Sequence, residues 1–206
     1  KMTLSVRNVG EDPINGEAKV TLSSKSEYIT FVDAEATFSS LASKSTIDLE
    51  DEFSFIIDKS VVNESVIIID SEIEYDTMKW SSMFSINVVS PVIEYDRFVW
   101  DDTFEPGGTY NVKAKFKNIG LYKATNAVVT ASSTSEYVVF DNNDIKVETI
   151  EVGDVAEFDF EFSVKESCPF TGKLPVNFSF VADNETTAEG SCVIENRCGV
   201  EFVLKD

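Results

Sequence analysis

The sequence predicts an all-β protein made of two successive β-sandwiches. Three features of its 206 residues indicate this fold class. Blocks of sequence recur about 105 to 110 residues apart, apolar and polar residues alternate within short segments, and turn-forming segments separate them. No segment shows a convincing helical period, so we expect strands to account for the ordered structure.

The repeat consists of three blocks that occur in the same order in both halves of the chain. The clearest is SSKSEYITF, which returns as SSTSEYVVF with six of nine positions identical. Another pair of blocks shares an Asn-x-Gly motif, at Asn8 and at Asn118. A recurrence of this kind predicts two copies of one structural unit. The matched blocks are 2–10 with 112–120, 23–31 with 132–140, and 52–57 (EFSFII) with 157–162 (EFDFEF).

Each block alternates between apolar and other residues, as a strand with one buried face does. Val112, Ala114 and Phe116 fall on one face of such a strand, and Leu4 and Val6 occupy the matching places in the first copy. Short strands, regular turns and units of about 100 residues predict immunoglobulin-like, or fibronectin-like, β-sandwiches in tandem.

The predicted domains are residues 1–90 and 91–206, which meet at Ser90-Pro91. The second domain has a lead-in, residues 91–110, that supplies a first strand and a turn. The first domain has no counterpart of this lead-in. We therefore expect it to lack its opening strand, which would leave a sheet edge unpaired. From about residue 196 we expect a C-terminal extension.

Composition narrows the classes of function. Asp and Glu total 37 against 17 Lys and Arg, which gives a formal net charge of -20. Such a charge repels phosphate backbones, so nucleic acid is not an expected partner. It suits a protein kept soluble outside a cell. No run of 18 apolar residues occurs, and we expect no insertion into a membrane.

The chain contains no histidine. Ser-His-Asp and Cys-His pairs and most zinc sites need an imidazole, so these chemistries are excluded. A pair of carboxylates between the two domains stays open as an enzymatic alternative, but no such pair stands out in the sequence. We therefore expect this segment to have no catalytic activity.

Residues 104–140 carry a series of motifs that resembles the immunoglobulin-like modules of secreted, gingipain-like cysteine peptidases of Bacteroidetes. These modules read Pro-Gly-x-x-Tyr or Val, then Asn-x-Gly, Ala-Thr-Asn and a Ser-Ser strand. The ending, residues 198–206, resembles the opening strand of the adhesin-like domains that follow such modules. The matching positions are Pro106, Gly107, Tyr110, Asn118, Gly120, Ala124, Thr125, Asn126, Ser132 and Ser133.

The resemblance implies a spacer or support region in a secreted or cell-surface protein, with the neighbouring domains of the same polypeptide as its partners. The catalytic Cys and His of the family have no counterpart here. The alternative is an adhesin-type module that binds a host protein or glycan through an exposed strand edge or an aromatic patch. Trp80 and Trp100 are candidates for such a patch, although a place in the core or between the domains is favoured.

Two groups of residues are candidates for local sites. Cys168, Cys192 and Cys198 fall near the C-terminus, and in a secreted protein an odd number implies one pair and one leftover thiol. We expect Cys168 to pair with Cys192 or with Cys198. A catalytic thiol is not expected, because no histidine is available to activate it.

The second group is acidic. Asp101, Asp102 and Glu105 lie on a turn before Pro106, and oxygen ligands on a loop suit calcium. Because the loop is short, a solvated turn is favoured over a calcium site. The run DNND at residues 141–144 is a weaker candidate of the same kind, since Asp and Asn are ordinary turn formers. No other cofactor is expected.

Overall fold

The structure, a computed structural model, describes residues 1–100 and 103–195. The chain divides into two units, Lys1–Val88 and Val89–Asp206, compared with the boundary at Ser90-Pro91 that the sequence suggests. The C-terminal extension expected from about residue 196 lies outside the described residues. In the described part of the chain, no helix is long and apolar enough to cross a bilayer.

The first unit, all of which is described, consists of seven antiparallel strands in two sheets. They are β1 (Met2–Arg7), β2 (Ile14–Ser23), β3 (Ile29–Asp33), β4 (Glu35–Leu41), β5 (Thr46–Ile57), β6 (Ser65–Tyr75) and β7 (Met78–Val88). One sheet has the strand order β1-β5-β3, and the other has the order β4-β2-β6-β7.

The second unit has eight antiparallel strands among its described residues. They are β8 (Ile93–Trp100), β9 (Thr109–Asn118), β10 (Ala124–Ser132), β11 (Val138–Phe140), β12 (Asp144–Ile150), β13 (Val155–Val164), β14 (Lys173–Val181) and β15 (Thr187–Glu195), with a short 3-10 helix at Asp183–Glu185. The two sheets have the orders β11-β13-β9-β8 and β12-β10-β14-β15.

The two units share one strand topology. Strands β1 to β7 correspond in order to β9 to β15, because every pair of neighbours in the first unit has its equivalent in the second. The extra strand is β8, which pairs with the outer edge of β9. No strand pairs with the outer edge of β1 in the described part of the chain. The predicted fold class, all-β with two tandem immunoglobulin-like sandwiches, is confirmed.

Alternation along the strands places apolar side chains between the two sheets of each unit. The second core is built around phenylalanine rings, and the first contains more aliphatic side chains and fewer rings. Fully buried side chains of the second core include Phe116, Phe158, Phe160, Phe162, Phe178 and Phe180, and those of the first include Ala18, Val20, Phe53, Ile67 and Ile69.

The strand register corrects the third block of the repeat by two residues. Sequence similarity matches Phe53 with Phe158, but the pairing with β1 and β9 makes Leu49 the equivalent of Phe158 and Phe53 the equivalent of Phe160. β5 has two extra residues where its register against β1 shifts, and Asp51 there has a φ of 56°. A bulge of this kind inserts residues without changing the buried face, so the repeated letters conceal it.

A cluster of charges on the outer face of β9 and β13 gives a testable pH dependence. Lys113 Nζ donates to Glu157 Oε2 at 2.8 Å, and Lys115 donates to the other carboxylate oxygen. These two hydrogen bonds lower the pKa of Glu157 from 4.5 to about 2. Because the pKa is lower in the folded state, the contribution to stability is complete above pH 4.5 and is lost as the pH falls towards about 2.

We therefore expect the substitution Glu157→Gln to reduce the acid sensitivity of the second unit. The loss of stability between about pH 6 and about pH 2 should be smaller in the variant than in the parent chain. The difference should be modest, since the group is exposed to solvent. Urea unfolding at both pH values measures it. A variant as acid-sensitive as the parent would contradict the ion-pair geometry.

Candidate functional site

The Asn-x-Gly motif of the second unit forms a corner between β9 and β10. Asn118 is completely buried. Its amide nitrogen donates to the carbonyls of Tyr122 at 2.8 Å and Ile150 at 3.2 Å, and its carbonyl oxygen accepts from the Gly120 N–H at 3.0 Å. The Val92 N–H also approaches that oxygen, at 3.4 Å. The side chain thus connects three segments of one sandwich.

The first unit repeats this corner with fewer contacts. Asn8 donates to the carbonyls of Asp12 at 2.9 Å and Leu41 at 3.4 Å, and accepts from the Gly10 N–H at 2.9 Å. Asn8 is only half-buried, whereas Asn118 is inaccessible to solvent. The shared motif is therefore explained by the fold, since in both copies its side-chain groups bind backbone of the same unit.

The Ser-x-Ser motif after β2 and β10 has the same kind of role. Ser24 Oγ donates to the Ile68 carbonyl and Ser133 Oγ to the Pro175 carbonyl, both at 2.6 Å. Each hydroxyl also accepts a backbone N–H, from Ser26 in the first copy and from Ser135 in the second. These serines join the turn to the neighbouring strand in each sandwich.

The Ala-Thr-Asn and Pro-Gly motifs of the second unit also form hydrogen bonds within that unit. Thr125 Oγ1 and Asn126 Nδ2 both donate to Asp183 Oδ2, at 2.8 and 2.6 Å. The Gly107 residue has a φ of 85° in a turn closed by the Gly108 N–H on the Glu105 carbonyl, at 3.0 Å. Only a residue that tolerates the left-handed region suits that turn, which explains the glycine.

The calcium prediction is only partly within the described residues. Asp101 and Asp102 lie outside them. The backbone of Glu105 exchanges hydrogen bonds with the Tyr110 hydroxyl. In the weaker candidate, Asp144 accepts from Thr130 Oγ1 at 2.7 Å. Among residues 1–100 and 103–195 no group of three or more Asp, Glu, His or Cys side chains is placed to hold a metal ion. The calcium site at Asp101, Asp102 and Glu105 stays a prediction.

The cysteine prediction is corrected for one of its two pairings. Cys168, in the turn after β13, and Cys192, on β15, are both buried, and no disulfide joins them to each other. Each packs in the core of the second unit as a small apolar side chain. The pairing of Cys168 with Cys198 stays a prediction, because Cys198 lies outside the described residues.

Burial makes both thiols unreactive in the folded chain. It raises the pKa of Cys192 to about 12 and raises the pKa of Cys168 as well. Because the thiolate is the reactive form, we expect alkylation at about pH 8 to be at least about a hundredfold slower in the folded chain than in urea. Peptide mass spectrometry can follow each cysteine separately. Rapid labelling of Cys192 in the folded chain would contradict its burial.

The strongest candidate for a binding surface is the outer face of the four-stranded sheet in the first unit. Its central part, here called the β2–β6–β7 face, is formed by Thr21 and Ser23 on β2, Val66, Ile68, Asp70 and Glu72 on β6, and Ser81 and Met83 on β7. Cross-strand pairing places Asp70 between Ser23 and Met83, and Glu72 between Thr21 and Ser81. The surface therefore changes from polar to apolar along the strands.

The apolar end is exposed. Val66, Ile68 and Met83 are 60%, 53% and 68% accessible. They border a shallow groove that also includes Lys25 and Asp70. The polar end forms an open groove of about 640 Å³, lined by hydroxyl groups, Asp70 and Glu72. Hydroxyl donors, carboxylate acceptors and adjacent apolar contacts together suit a sugar or a peptide.

This surface belongs to the first unit alone. The equivalents of Val66, Ile68 and Met83 in the second unit are Lys173, Pro175 and Ser191, as the register of β14 and β15 shows. Lys173 Nζ there forms an ion pair with Glu195 at 3.2 Å. Since the same fold is built with Lys, Pro and Ser at these positions, packing within the sandwich does not require the large exposed side chains of Val66, Ile68 and Met83.

Beyond the polar end, ion pairs flank the β2–β6–β7 face. Lys79 on β7 binds Glu72 at 3.1 Å and also contacts Glu74. The hydrogen bond from Lys79 lowers the pKa of Glu74, and those carboxylates raise the pKa of Lys79. Lys79 thus forms ion pairs with both of these carboxylates. The carboxylate of Asp70 lines the groove and has no ion-pair partner among the described residues.

The two tryptophans occupy different environments. Trp100 packs against Phe104, Tyr110 and Phe162 in the second unit, as the favoured core placement predicts. Trp80 is 44% accessible.

The β2–β6–β7 face is not among the sites that the sequence predicts. The sequence does contain a signal for this face, the run Val66–Ile69, in which four consecutive residues are apolar. An antiparallel strand with one buried face needs apolar residues only at alternate positions, so two of the four are in excess.

Comparisons with known proteins do not assign the chain to a family. No protein-family model matches it, and no curated protein matches it. Among solved structures it is similar to a transglutaminase of red sea bream, with a TM-score of 0.40 and 10% sequence identity. That similarity covers 96% of this chain and 29% of the other, so this chain spans less than a third of that protein. A likeness this remote carries no inference about function.

Proposed function

We propose that this tandem is a non-catalytic support module of a larger secreted or cell-surface protein, of the gingipain-like architecture that its motifs resemble. The observation that supports this most is the use of the motif residues. Asn118, Thr125, Asn126 and Ser133 all bind backbone or side chains of their own unit. Residues that maintain the sandwich are what a spacer needs.

The support role can be tested in the complete gene product by exchanging the tandem. An unrelated pair of immunoglobulin-like domains of similar length should preserve secretion and the activity of the neighbouring regions. A Gly/Ser linker of equal residue number should reduce both, because it behaves as a flexible coil and cannot hold its neighbours apart. Equal losses with the unrelated pair and with the linker would contradict a support role.

A second function is favoured by a specific observation, the β2–β6–β7 face. As an adhesin-type module, the first unit would bind a host glycan or protein there. Exposed apolar groups that the fold does not require indicate interaction surfaces. Val66, Ile68 and Met83 provide the contact area, and Asp70 with the neighbouring hydroxyls provides hydrogen bonds. This role is compatible with a support function for the tandem as a whole.

Glycan and extracellular-protein arrays test this second function. The variant Ile68→Ser/Met83→Ser should lose the hits that the parent chain gives. The matched control is Val181→Ser/Val193→Ser, which removes two exposed apolar side chains, each about half accessible, from the second unit. Binding that survives in the first variant, or an array without hits for the parent chain, would rule out this face as an adhesive surface.

A further inference from the structure

The outer edge of β7 is an open sheet edge that belongs to the fold itself. β7 is the last strand in the order β4-β2-β6-β7, and β6 is its only partner among the described residues. Its equivalent β15 ends the matching sheet of the second unit, where it pairs with β14 alone in the same described part. The open edge is therefore a feature of the strand order that both units share, with or without a strand like β8.

β7 lacks the features that usually keep an edge strand unpaired. At 11 residues it is the longest edge strand in the described part of the chain, and it pairs with β6 without a register shift. It contains no proline or glycine, and Lys79 is its only charged residue. β15, in contrast, contains Gly190 and the acidic residues Glu189 and Glu195. Because short length, bulges, charges and proline protect edges, β7 is suited to pair with a further strand.

The backbone groups that face this edge follow from the hydrogen bonds across the sheet. The Leu22 N–H donates to the Ala34 carbonyl on the β4 side. Since such groups alternate along antiparallel strands, the backbone of Ser23 bonds to Asp70, and the backbone groups of Met83, opposite Asp70, point away from β6. The same alternation turns every second residue of β7 to the open edge. These residues are Lys79, Ser81, Met83, Ser85 and Asn87.

The sequence of β7 is complementary to itself when two copies run antiparallel. Met83 is its middle residue, so a two-fold axis there aligns the whole of Met78–Val88 with the same strand of a second copy. Because the backbone of Met83 faces the edge, the two copies of this residue can exchange both hydrogen bonds across the axis. No pair brings like charges together, and all but one match apolar with apolar or polar with polar residues. The pairs are Met78 with Val88, Lys79 with Asn87, Trp80 with Ile86, Ser81 with Ser85, Ser82 with Phe84, and Met83 with its copy.

The side chains beside the edge are also compatible with a second copy. Met83 and Ile68 are exposed and border the same shallow groove, so pairing at Met83 would cover part of this apolar surface. The two copies of Asp70 would be three strand spacings, or about 14 Å, apart. That distance exceeds the screening length of about 8 Å at physiological ionic strength. The net charge of -20 therefore does not prevent pairing at this edge.

We propose that the chain forms a two-fold symmetric dimer in which the β7 strands of two copies pair antiparallel about Met83. The four-stranded sheets of the two first units join into one continuous sheet, and the edge-facing N–H groups of each β7 bond to carbonyls of the other. Such an interface is self-complementary, as a two-fold axis requires. The inference is independent of the support and adhesin-type roles, because it rests on the backbone of β7 and not on the binding of another molecule.

The mass of the full 206-residue chain in solution tests the dimer directly. We expect sedimentation equilibrium at physiological ionic strength to show a monomer at about 5 µM and a reversible dimer at about 500 µM, because one strand pair is a small interface. At about 0.01 M salt the dissociation constant should be at least about threefold higher, since the screening length rises to about 30 Å. A monomer mass at about 500 µM and physiological ionic strength would overturn the proposal.

Two charged variants locate the axis. Met83→Lys and Met83→Glu should each stay monomeric at about 500 µM, because each places like charges opposite one another. An equimolar mixture of the two variants should form a mixed dimer, because opposite charges then meet across the axis. The matched control is Ser191→Lys at the equivalent position of β15, which should dimerise like the parent chain. A dimer that persists in Met83→Lys, or a mixture that stays monomeric, would overturn the proposal.

A proline variant separates strand pairing from contact through the apolar face. Ser85→Pro removes an N–H that faces the open edge and leaves the bonds to β6, so it should abolish the dimer. It keeps Val66, Ile68 and Met83, so any ligand of the β2–β6–β7 face should still bind. The matched control is Val193→Pro, the equivalent change on β15, where the N–H also faces outward. The control should dimerise normally, and a dimer that persists in Ser85→Pro would overturn the proposal.

Discussion

Replacement of Asn118 by alanine is expected to destabilise the second unit by at least about 3 kcal/mol. The substitution leaves the carbonyls of Tyr122 and Ile150 and the N–H of Gly120 without partners at a completely buried position. A buried polar group without a partner costs about 1–3 kcal/mol, and several are created at once. Asn118→Asp should also be destabilising, because a carboxylate cannot donate to the two carbonyls.

The equivalent substitution in the first unit is the matched control. Asn8→Ala removes hydrogen bonds of the same pattern at a half-buried site, where water can replace them, so we expect a loss of about 1 kcal/mol. Urea unfolding can be followed by the fluorescence of Trp100 in a Trp80→Phe background, since Trp100 lies in the second core. Equal losses at the two positions would contradict the difference in burial.

The second large effect is expected at the glycine of the same motif. Gly120→Ala should destabilise the second unit by about 2–3 kcal/mol, because the new methyl group would overlap backbone atoms of Ser90 and Val92. The strain can be relieved only if the segment leading into β8 moves away from the corner. That movement would also weaken the pairing of Ile93 with Asn118 at the start of β8.

Gly10→Ala serves as its control in the first unit. The added methyl group there would contact only the side-chain oxygen of Asn8, so a change within about 0.5 kcal/mol is expected. Unfolding midpoints of both variants, measured under the same conditions, give the comparison. A larger loss for Gly10→Ala than for Gly120→Ala would contradict the difference in space beside the two glycines.

Much of the fold is predictable from local pattern, and the reasons can be given for particular residues. The inward positions Val112, Ala114 and Phe116 follow from an alternation of period two, which is independent of tertiary context. The repeat predicts that the two units share one fold, and the pairing of the strands agrees. The resemblance drawn from the motifs rests on residues whose hydrogen bonds maintain the sandwich. Two of these motifs, Asn-x-Gly and the serines after β2 and β10, occur in both copies, and their hydrogen bonds are the same in each.

Other features depend on contacts that the pattern does not contain. The insertion at Asp51 is hidden, because a bulge preserves the apolar positions that sequence comparison aligns. The β2–β6–β7 face arises where three strands bring Ser23, Asp70 and Met83 into one row. Ser23 and Asp70 are 47 positions apart along the chain, and Asp70 and Met83 are 13 apart. They meet only through the strand order, which the local pattern does not specify.

Hydrogen exchange of matched backbone amides is the most direct test of the central claim. The claim is that the two units share one fold and that, among the described residues, no strand pairs with the outer edge of β1. The N–H of Val6 and that of Phe116 face β5 and β13, and both should be protected. The N–H of Lys117 faces β8 and should also be protected, whereas that of Arg7 should exchange rapidly. Protection of Arg7 equal to that of Lys117 in the isolated chain would contradict the claim.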